Sequence, residues 1–214
     1  MLWGELNLIK KIDSFAKMIF DYTLTAVGTL AISPLLFYIA YRIKKDSPGE
    51  VIYDGERIGK NGVLFKCYKF RSMYTNGDEI LKRYLEENPD KKIEWDTYHK
   101  LDNDPRVTPI GNFIRKTSID ELPQLFNVLK GEMSLIGPRP YLLCEQKEMG
   151  EYYKDIIKVK PGISGYWQVN GRSSVSFENR LLMDKWYVFN RNLVMDVKLL
   201  WKTIGVVLNQ KGAK

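Results

Sequence analysis

The sequence has very little histidine and cysteine. His99 is the single histidine among 214 residues, and Cys67 and Cys144 are the two cysteines. A zinc site built from histidines and a Ser-His-Asp triad built around another histidine are therefore excluded. The cysteines are far apart and form no Cys-x-x-Cys pair, so reduced thiols are expected rather than a disulfide framework. His99 lies in a polar stretch and is predicted to be a surface residue. Any catalysis must then depend on carboxylates with lysine or arginine.

The charge balance is basic, with 33 Lys and Arg against 26 Asp and Glu and a net charge of +7. With 44% hydrophobic and 28% charged residues, the chain is neither disordered nor a polytopic membrane protein. A basic chain suits anionic partners, and composition leaves nucleic acid, anionic lipid headgroups and phosphorylated small molecules open. The length suits one large domain or one domain with an appendage.

One long uncharged segment, residues 22–41, contains 20 residues without Asp, Glu, Lys or Arg. At about 1.5 Å per helical residue the segment reaches about 30 Å, the hydrocarbon thickness of a bilayer. The segment is longer than the apolar part of a cleavable signal peptide, and no small-residue cleavage site follows it. Contact with a membrane is therefore predicted.

The residues alone do not determine whether this segment spans the membrane or returns to the same face. Pro34 lies inside it and cannot donate to the carbonyl of Leu30, which kinks or breaks a helix. Basic residues flank both ends, so the positive-inside rule gives no orientation. A kinked spanning helix is favoured over one that enters and leaves on the cytoplasmic face, because spanning helices tolerate proline. Before it, residues 6–20 place apolar side chains near one helical face, which is typical of a helix in the membrane interface.

Residues 46–70 predict a β-hairpin, with Asn61-Gly62 supplying the positive φ angles of a tight turn. Ser176 is a suitable N-cap for a helix that follows it. Residues 193–210 are apolar around most of their circumference, so this tail either packs in the core or lies on the bilayer, and the bilayer is favoured. The other predicted elements are an irregular connection at 96–111 and helices at 78–88, 120–130, 145–158 and 176–190.

The densest chemistry lies in residues 117–140. Asp120 and Glu121 stand together at the start of a predicted amphipathic helix, whose beginning Pro123 helps to fix. A helix N-terminus carries roughly +0.5 charge, which would hold Asp120 ionised and favour a nearby phosphate. An ionised carboxylate can attack phosphorus to form an aspartyl-phosphate. Two adjacent carboxylates also suit Mg²⁺, which takes one or two carboxylates plus phosphate oxygens.

The same stretch has the capping-box pattern S-x-x-E at residues 118–121, and on this stretch alone capping is favoured over catalysis. Basic clusters shift the balance towards an anion site. Lys69 and Arg71 lie on the same side of a predicted strand by alternation. Arg139 is fixed between two prolines, which limits the entropy lost when it binds an anion. Arg172 lies in a glycine-rich region.

With these motifs the sequence resembles the bacterial sugar transferase family, the monotopic phosphoglycosyl transferases. The resemblance covers nearly the whole chain, from about residue 9 to residue 212, with several long motifs in the family's order. Chance rarely produces such an agreement. The matching blocks are SPLL at 33–36, DSPGEVIYDGERIGKNG at 46–62, YKFRSM at 68–73, NDPRVTPIG at 103–111, TSIDELPQLFNVLKGEMSLIGPRP at 117–140 and KPGISGYWQVNGR at 160–172.

The resemblance implies a helix-rich α+β monotopic membrane protein. Interfacial and reentrant membrane helices are expected at residues 1–45 and a cytosolic catalytic domain at 46–214. The membrane helix would be reentrant and broken at Ser33-Pro34, which replaces the spanning helix favoured above. A small β-hairpin and interfacial amphipathic helices complete the expected fold. The expected location is the bacterial inner membrane, with the catalytic domain facing the cytoplasm.

The resemblance also implies a ping-pong reaction. A UDP-sugar would bind, Asp120 would displace UMP to form a phosphosugar-enzyme intermediate, and undecaprenyl phosphate would then take the sugar phosphate. Glu121 is expected to act with Asp120 in binding Mg²⁺. The basic residues expected around the donor are Lys69, Arg71, Arg139 and Arg172.

The form of residues 96–111 and of GPRPYLL resembles the hexose-specific branch of the family, so galactose is the expected sugar, with glucose or an N-acetylated sugar as alternatives. Members of this branch often carry a multi-span membrane region before the catalytic part. The sequence lacks one, so a short or truncated member is expected. A bilayer with anionic lipids and a homodimer are the expected partners, and nucleic acid is not. The competing hypothesis is a non-enzymatic membrane-anchored module whose basic face binds anionic lipid or nucleic acid.

Overall fold

The chain folds as a helix-rich α+β protein in which one very long helix carries a domain of short helices and two small sheets. A computed structural model describes residues 2–98, 100–171 and 175–208. The strands are β1 (Ile52–Ile58), β2 (Leu64–Phe70), β3 (Ser134–Ile136) and β4 (Gly162–Ser164). The helices are α1 (Leu2–Asp46), α2 (Gly77–Glu87), α3 (Pro89–Tyr98), α4 (Pro109–Lys116), α5 (Gln124–Leu129), α6 (Gln146–Met149), α7 (Tyr153–Ile156), α8 (Tyr166–Asn170), α9 (Phe177–Asn190) and α10 (Leu193–Leu208).

The first helix, α1, runs without a gap through Pro34. Because Pro34 has no N–H, the carbonyl of Leu30 loses its helical partner, and the Ser33 hydroxyl donates to that carbonyl at 2.8 Å instead. The predicted break at Ser33-Pro34 is therefore not a gap in the helix. A neighbouring side chain supplies the missing donor, which a hydrocarbon environment requires.

The apolar part of α1 faces outward. Within the described residues, Lys11–Asp46 is the one helical stretch long and apolar enough to cross a membrane, and 11% of its most apolar window is buried. A core helix of a soluble protein would be mostly buried. In contrast, Val27, Leu30 and Phe37 are 61%, 77% and 76% exposed. An apolar surface of this extent indicates contact with a membrane.

A buried polar stripe attaches the first half of α1 to the domain. Lys17, Asp21 and Thr25 are spaced four residues apart on one helical face, and all three are buried. Lys17 Nζ lies 2.6 Å from a carboxylate oxygen of Asp196 in α10, and the Ser134 hydroxyl of β3 donates to Asp21 at 2.7 Å. Removing one member of a buried ion pair is costly, so these contacts fix which face of α1 meets the domain.

The predicted hairpin is confirmed, because β1 and β2 pair antiparallel along their whole length. Asn61 and Gly62 in the connection have φ values of 58° and 80°, the positive angles expected of an Asn-Gly turn. Phe65 and Cys67 of β2 pack against Val128 of α5. This packing brings β2 beside the segment that leads into α5.

A second pairing, between β3 and β4, is absent from the predicted elements. The two strands are parallel, with Ser134 opposite Gly162 and Ile136 opposite Ser164. A Cβ on Gly162 would lie 2.1 Å from the nitrogen of Gly137, so the close approach of the two loops requires glycine. Strands of three residues contain too little alternation to be recognised in a sequence.

The helix predictions are confirmed in part. The helix after Ser176 is α9, and the Ser176 side chain accepts a hydrogen bond from the backbone N–H of Asn179. The helix predicted at 145–158 is instead divided into α6 and α7, because Gly150 adopts a φ of 53° between them. The helix α2 ends as predicted before Pro89, but Pro89 then begins α3, since proline is suited to a first helical turn.

The C-terminal tail forms α10 and combines the two predicted alternatives. Asp196 and Leu199 are buried against the domain, whereas Val194 and Trp201 are 64% and 70% exposed. One face of α10 therefore packs on the core while another presents apolar side chains outward. This pattern is typical of an amphipathic helix that lies at a membrane interface.

Candidate active site

Asp120 and Glu121 lie on a separate 3-10 turn, Ile119–Glu121, and the predicted helix over 120–130 begins later, at Gln124. Pro123 explains the difference. In an α-helix, the N–H at position 123 would bond to the carbonyl of Ile119, and proline has none. Leu122 donates to that carbonyl instead, at 3.1 Å, which gives the tighter 3-10 geometry. The two carboxylates are thus held by a short turn before α5.

The capping-box reading of this stretch is wrong. Ser118 has a φ of 57° and a ψ of 17°, a left-handed conformation, and its side chain makes no capping hydrogen bond. The carboxylate of Glu121 accepts a hydrogen bond from Lys69 Nζ at 2.6 Å. Left-handed conformations of residues other than glycine cost free energy and cluster at functional sites. The turn therefore directs both acidic side chains towards β2.

Lys69 brings the two acidic residues into one ionic cluster. Its Nζ lies 2.6 Å from Glu121 Oε1 and 4.0 Å from Asp120 Oδ2. Burial of the ammonium lowers the pKa of Lys69, but the carboxylates of Glu121 and Asp120 outweigh burial, and the net shift is upward. Lys69 therefore stays protonated between the two acids.

Burial raises the pKa of Asp120 from 3.8 to about 6. The positive charges of Lys69 and Arg115 oppose this shift, and the negative charge of Glu121 adds to it. The predicted helix N-terminus does not surround Asp120, which lies on the turn before α5, and desolvation exceeds the favourable charges. With a pKa of about 6, the carboxyl is still about nine-tenths ionised at pH 7. Asp120 is therefore largely anionic at neutral pH, with a charge that depends on pH.

Sequence reasoning missed Arg115, which lies in the last turn of α4 and acts on Asp120 through its charge. A signal was present: Arg115-Lys116 stands immediately before the Thr-Ser-Ile-Asp motif. Because α4 ends at Lys116, the chain turns back sharply over the next residues, and a basic helix end comes close to the acidic pair. Positive charge at this end also suits the helix dipole.

Arg71 is placed differently from Lys69. It lies just beyond the last residue of β2 and is 8% exposed. Its guanidinium donates to the carbonyls of Pro48 and Ser47, at 2.6 and 2.7 Å, and to the Ser47 hydroxyl at 3.0 Å. These bonds attach the segment after α1 to the end of the hairpin. The role of Arg71 in binding the donor stays a prediction.

Arg139 lies in the loop after β3 and is held through its backbone. Its N–H donates to Asp184 Oδ2 at 3.1 Å, and the Tyr141 hydroxyl donates to the same oxygen at 2.8 Å. Its guanidinium lies 3.5 Å from Glu145 Oε1, and 32% of its side chain is exposed. The anchor fixes the backbone, while the partly exposed guanidinium is paired with Glu145. Arg172 falls outside the described residues.

Asp184 was not anticipated from the sequence, since it sits inside the ordinary helical pattern of α9. It is completely buried, and this burial raises its pKa to about 7 against the opposing hydrogen bonds from Arg139 and Tyr141. One of its carboxylate oxygens, Oδ1, has no hydrogen-bond partner among the described residues. Asp184 therefore holds the Pro-Arg-Pro loop in place, although burying its carboxylate costs free energy. Buried carboxylates with raised pKa values are common beside functional side chains.

The acidic pair fits a magnesium ion. Mg²⁺ is usually held by one or two carboxylates, with phosphate oxygens and water as the other ligands. Asp120 and Glu121 supply two carboxylates, and Lys69 occupies one oxygen of Glu121. The described part of the chain contains no cluster of three or more His, Cys, Asp or Glu side chains that would hold a metal without a phosphate ligand. Binding of Mg²⁺ by Asp120 and Glu121 stays a prediction.

Comparison with known proteins identifies relatives along nearly the whole chain. Residues 12–210 match the family model described as bacterial sugar transferase. The chain is 47% identical over 210 residues to the undecaprenyl-phosphate galactose phosphotransferase of Salmonella typhimurium, covering 97% of this chain and 43% of that protein. It is 41% identical over 209 residues to the exopolysaccharide production protein ExoY of Rhizobium meliloti, covering 98% and 92%.

A more distant relative differs in the sugar that its name gives. The UDP-glucose:undecaprenyl-phosphate glucose-1-phosphate transferase of Escherichia coli is 38% identical over 193 residues, covering 86% of this chain and 38% of that protein. The chain thus spans less than half the length of the galactose- and glucose-named relatives and most of the length of ExoY.

Proposed function

Because the chain belongs to the bacterial sugar transferase family, we propose that it is a phosphoglycosyl transferase. It moves a hexose-1-phosphate, galactose-1-phosphate first, from a UDP-sugar to undecaprenyl phosphate and releases UMP. The observation that carries the proposal is the largely desolvated Asp120 carboxylate, with the Lys69 ammonium 4.0 Å away and a second carboxylate beside it. The name of the relative from Salmonella typhimurium supports galactose as the sugar.

The proposed chemistry has two displacements at one phosphorus atom. Asp120 attacks the phosphorus that bears the sugar, the bond from that phosphorus to the bridging oxygen breaks, and UMP leaves with the electron pair. A carboxyl–phosphate bond now holds the sugar phosphate on the enzyme. An oxygen of undecaprenyl phosphate then attacks the same phosphorus, and Asp120 leaves as a carboxylate. The product is a polyprenyl diphosphate sugar, which is a first membrane step for polysaccharide assembly.

Electrostatics decides whether this attack is feasible, since an anionic carboxylate must approach an anionic diphosphate. Lys69 supplies a fixed positive charge at the nucleophile, and Glu121 holds Lys69 in position through a 2.6 Å contact. A bound Mg²⁺, held by Asp120 and Glu121, would supply further neutralisation of the phosphate charge. Arg139, whose side chain is partly exposed, is predicted to contact the donor, and Arg71 and Arg172 are predicted to complete the anion site.

The proposed location is the cytoplasmic face of the bacterial inner membrane, where the donor nucleotide is available. We infer that α1 enters the bilayer and returns to the same face by bending at Ser33-Pro34. The basic residues at both ends of the apolar run, and the Ser33 bond that satisfies the Leu30 carbonyl, support a bend that leaves no backbone acceptor unpaired in hydrocarbon.

A donor screen tests the function. The purified full chain is incubated with Mg²⁺, undecaprenyl phosphate and one UDP-sugar at a time, and UMP is measured. UDP-galactose is expected to give the fastest release, at least about tenfold above UDP-N-acetylglucosamine, which corresponds to a difference of about 1.4 kcal/mol in the activation barrier. Equal release without undecaprenyl phosphate would indicate a hydrolase that transfers the sugar phosphate to water. Absence of UMP with every donor would favour the non-enzymatic membrane module.

Cysteine labelling tests the path of α1. Lys11 and Lys45 are exposed and flank the apolar run, so Lys11→Cys and Lys45→Cys are made separately with the exposed Cys144 replaced by alanine. Cys67 is buried and is left in place. An impermeant maleimide is expected to label neither position in intact bacterial spheroplasts and both in inverted membrane vesicles. Labelling of one position from outside would establish a spanning helix.

A further inference from the structure

A cavity of about 210 Å³, with a lining of both charged and apolar side chains, lies between the first half of α1 and the domain. Its basic lining residues are Lys17, Lys60, Lys160 and Arg191, and its one acidic lining residue is Asp21. None of the residues of the candidate active site lines it. The nearest link is α5: Asp120 precedes this helix, whereas the cavity meets it at Val128 near its other end. The cavity and the acidic pair therefore lie towards opposite ends of α5.

The positive charge in this cavity is only partly balanced. Lys17 is paired, at 2.6 Å with Asp196 and at 3.5 Å with Asp21. The other three basic side chains, those of Lys60, Lys160 and Arg191, form no ion pair with a carboxylate in the ranges that the structure describes. Three cations around one partly open cavity repel each other and attract an anion.

The unbalanced positive charge affects the pKa of Lys160. Burial lowers its pKa, the neighbouring charges of Lys60 and Lys17 lower it further, and Asp21 only partly compensates. Its ammonium lies 5.8 Å from the centre of the Tyr22 ring, so it is directed towards α1 at the start of the apolar run. An anion in the cavity would relieve the repulsion and offset the desolvation of this lysine.

The position of the cavity indicates where the anion comes from. Lining residues Met18 and Tyr22 belong to α1 at the point where the charged N-terminal part gives way to the apolar run. Met18 is 42% exposed, and its neighbours Phe15 and Ile19 are 60% and 50% exposed. Apolar side chains therefore continue outward from a cationic cavity, which suits a molecule with a phosphate at one end and hydrocarbon at the other.

The geometry points to a binding site for the phosphate headgroup of an anionic phospholipid, seated among Lys60, Lys160 and Arg191 with its acyl chains along Met18 and Ile19 of α1. The volume of about 210 Å³ is below the range of about 300 Å³ and more that encloses a whole drug-sized ligand, so it suits a headgroup whose chains remain outside. Neither Asp120 nor Glu121 lines the cavity, which distinguishes this lipid from the polyprenyl acceptor, whose phosphate must reach the proposed nucleophile.

Native mass spectrometry of the full chain in detergent tests the site. The protein is titrated with phosphatidylglycerol and, separately, with phosphatidylcholine. The wild type is expected to retain one phosphatidylglycerol and to bind phosphatidylcholine at least about tenfold more weakly. The double variant Lys160→Ala, Arg191→Gln is expected to lose at least about tenfold in phosphatidylglycerol affinity. Lys198→Ala, a change at an exposed lysine of α10 with no ion pair in the described residues, is the matched control and should bind like the wild type.

Two further arms separate the outcomes. Glycerophosphoglycerol and inorganic phosphate contain the anion without acyl chains and should compete only at concentrations at least about 100-fold higher. Competition by either at the same concentration as the lipid would make this a site for a soluble phosphate and overturn the lipid assignment.

Two further variants test the role of charge. Lys160→Arg keeps the charge and should retain binding. Lys60→Ala, at the exposed tip of the hairpin, removes a charge and can be used if the double variant does not fold. Unchanged affinity in a folded Lys60→Ala and in the double variant would refute the site. This experiment measures lipid binding and not UMP release, so its result does not depend on whether the proposed reaction occurs.

Discussion

Asp120→Asn is expected to reduce UMP release from UDP-galactose by at least about 1,000-fold, because an amide cannot form the bond to phosphorus. The substitution keeps the size of the side chain, and Lys69 retains its 2.6 Å contact with Glu121, so the fold should persist. Wild-type enzyme given donor alone should also gain the mass of a hexose phosphate on the peptide that contains Asp120. The measurements are UMP release and mass spectrometry of the acid-quenched protein.

The chain contains a matched control for this experiment. Asp78 and Glu79 form a second adjacent acidic pair in the first turn of α2, and both are exposed. Asp78→Asn makes the same chemical change outside the cluster and should leave the rate within about twofold of wild type. If Asp120→Asn kept wild-type turnover, or the adduct lay on another residue, Asp120 could not be the nucleophile. Loss of activity in both variants would instead indicate a general effect on the fold.

Lys69→Met is expected to slow UMP release by about 100- to 1,000-fold, the range found when a preorganised charge is removed from a reacting phosphate or oxyanion. It should also move the pH dependence. Burial raises the pKa of Asp120 to about 6 while Lys69 opposes the rise, so the variant should have a higher pKa at Asp120. Only the carboxylate attacks, so wild-type rate should fall about tenfold per pH unit below about pH 6. In the variant the same fall should begin at higher pH.

The control for Lys69→Met lies in the same strand. Lys66 is three residues earlier in β2, is 64% exposed and pairs with Asp54 at 2.8 Å, away from the acidic cluster. Lys66→Met should keep both the rate and the pH profile of the wild type, because exposed ion pairs contribute little. Rates are compared from pH 5 to 8 at one Mg²⁺ concentration, since a bound cation also lowers the pKa of a carboxyl. Equal pH midpoints in Lys69→Met and wild type would remove Lys69 from the environment of the nucleophile.

The local parts of the fold were predictable because their signals lie within a few residues. Asn61-Gly62 specifies the hairpin, Ser176 caps α9, and the uncharged run identifies the membrane-contacting part of α1. The helix at 145–158 was predicted too long because a single Gly150 reverses the backbone inside it. The pair β3 and β4 was missed because its three-residue strands depend on a parallel partner far along the chain.

The identities of the site residues were easier to predict than their pKa values and their contacts. The motifs placed Lys69, Asp120 and Glu121 in one site, and the structure brings these three together. The pKa of Asp120 depends on how deeply the turn is buried, and no local motif encodes that depth. Arg71 follows β2 and is directed to the carbonyls after α1, so strand alternation alone misjudged its surroundings.

The polar stripe on α1 has a consequence for the height of the protein in the membrane. A helix held to its domain by apolar contacts alone could shift by one turn at little cost in free energy. Here, however, Lys17 pairs with Asp196, and Asp21 accepts a hydrogen bond from Ser134. A shift of α1 by one turn, about 5.4 Å, would leave a buried charge without its partner, which costs about 3–5 kcal/mol. The immersion depth of α1 is therefore locked to the domain. If the proposed lipid-borne acceptor diffuses in the leaflet, it would reach Asp120 at one constant height above the hydrocarbon.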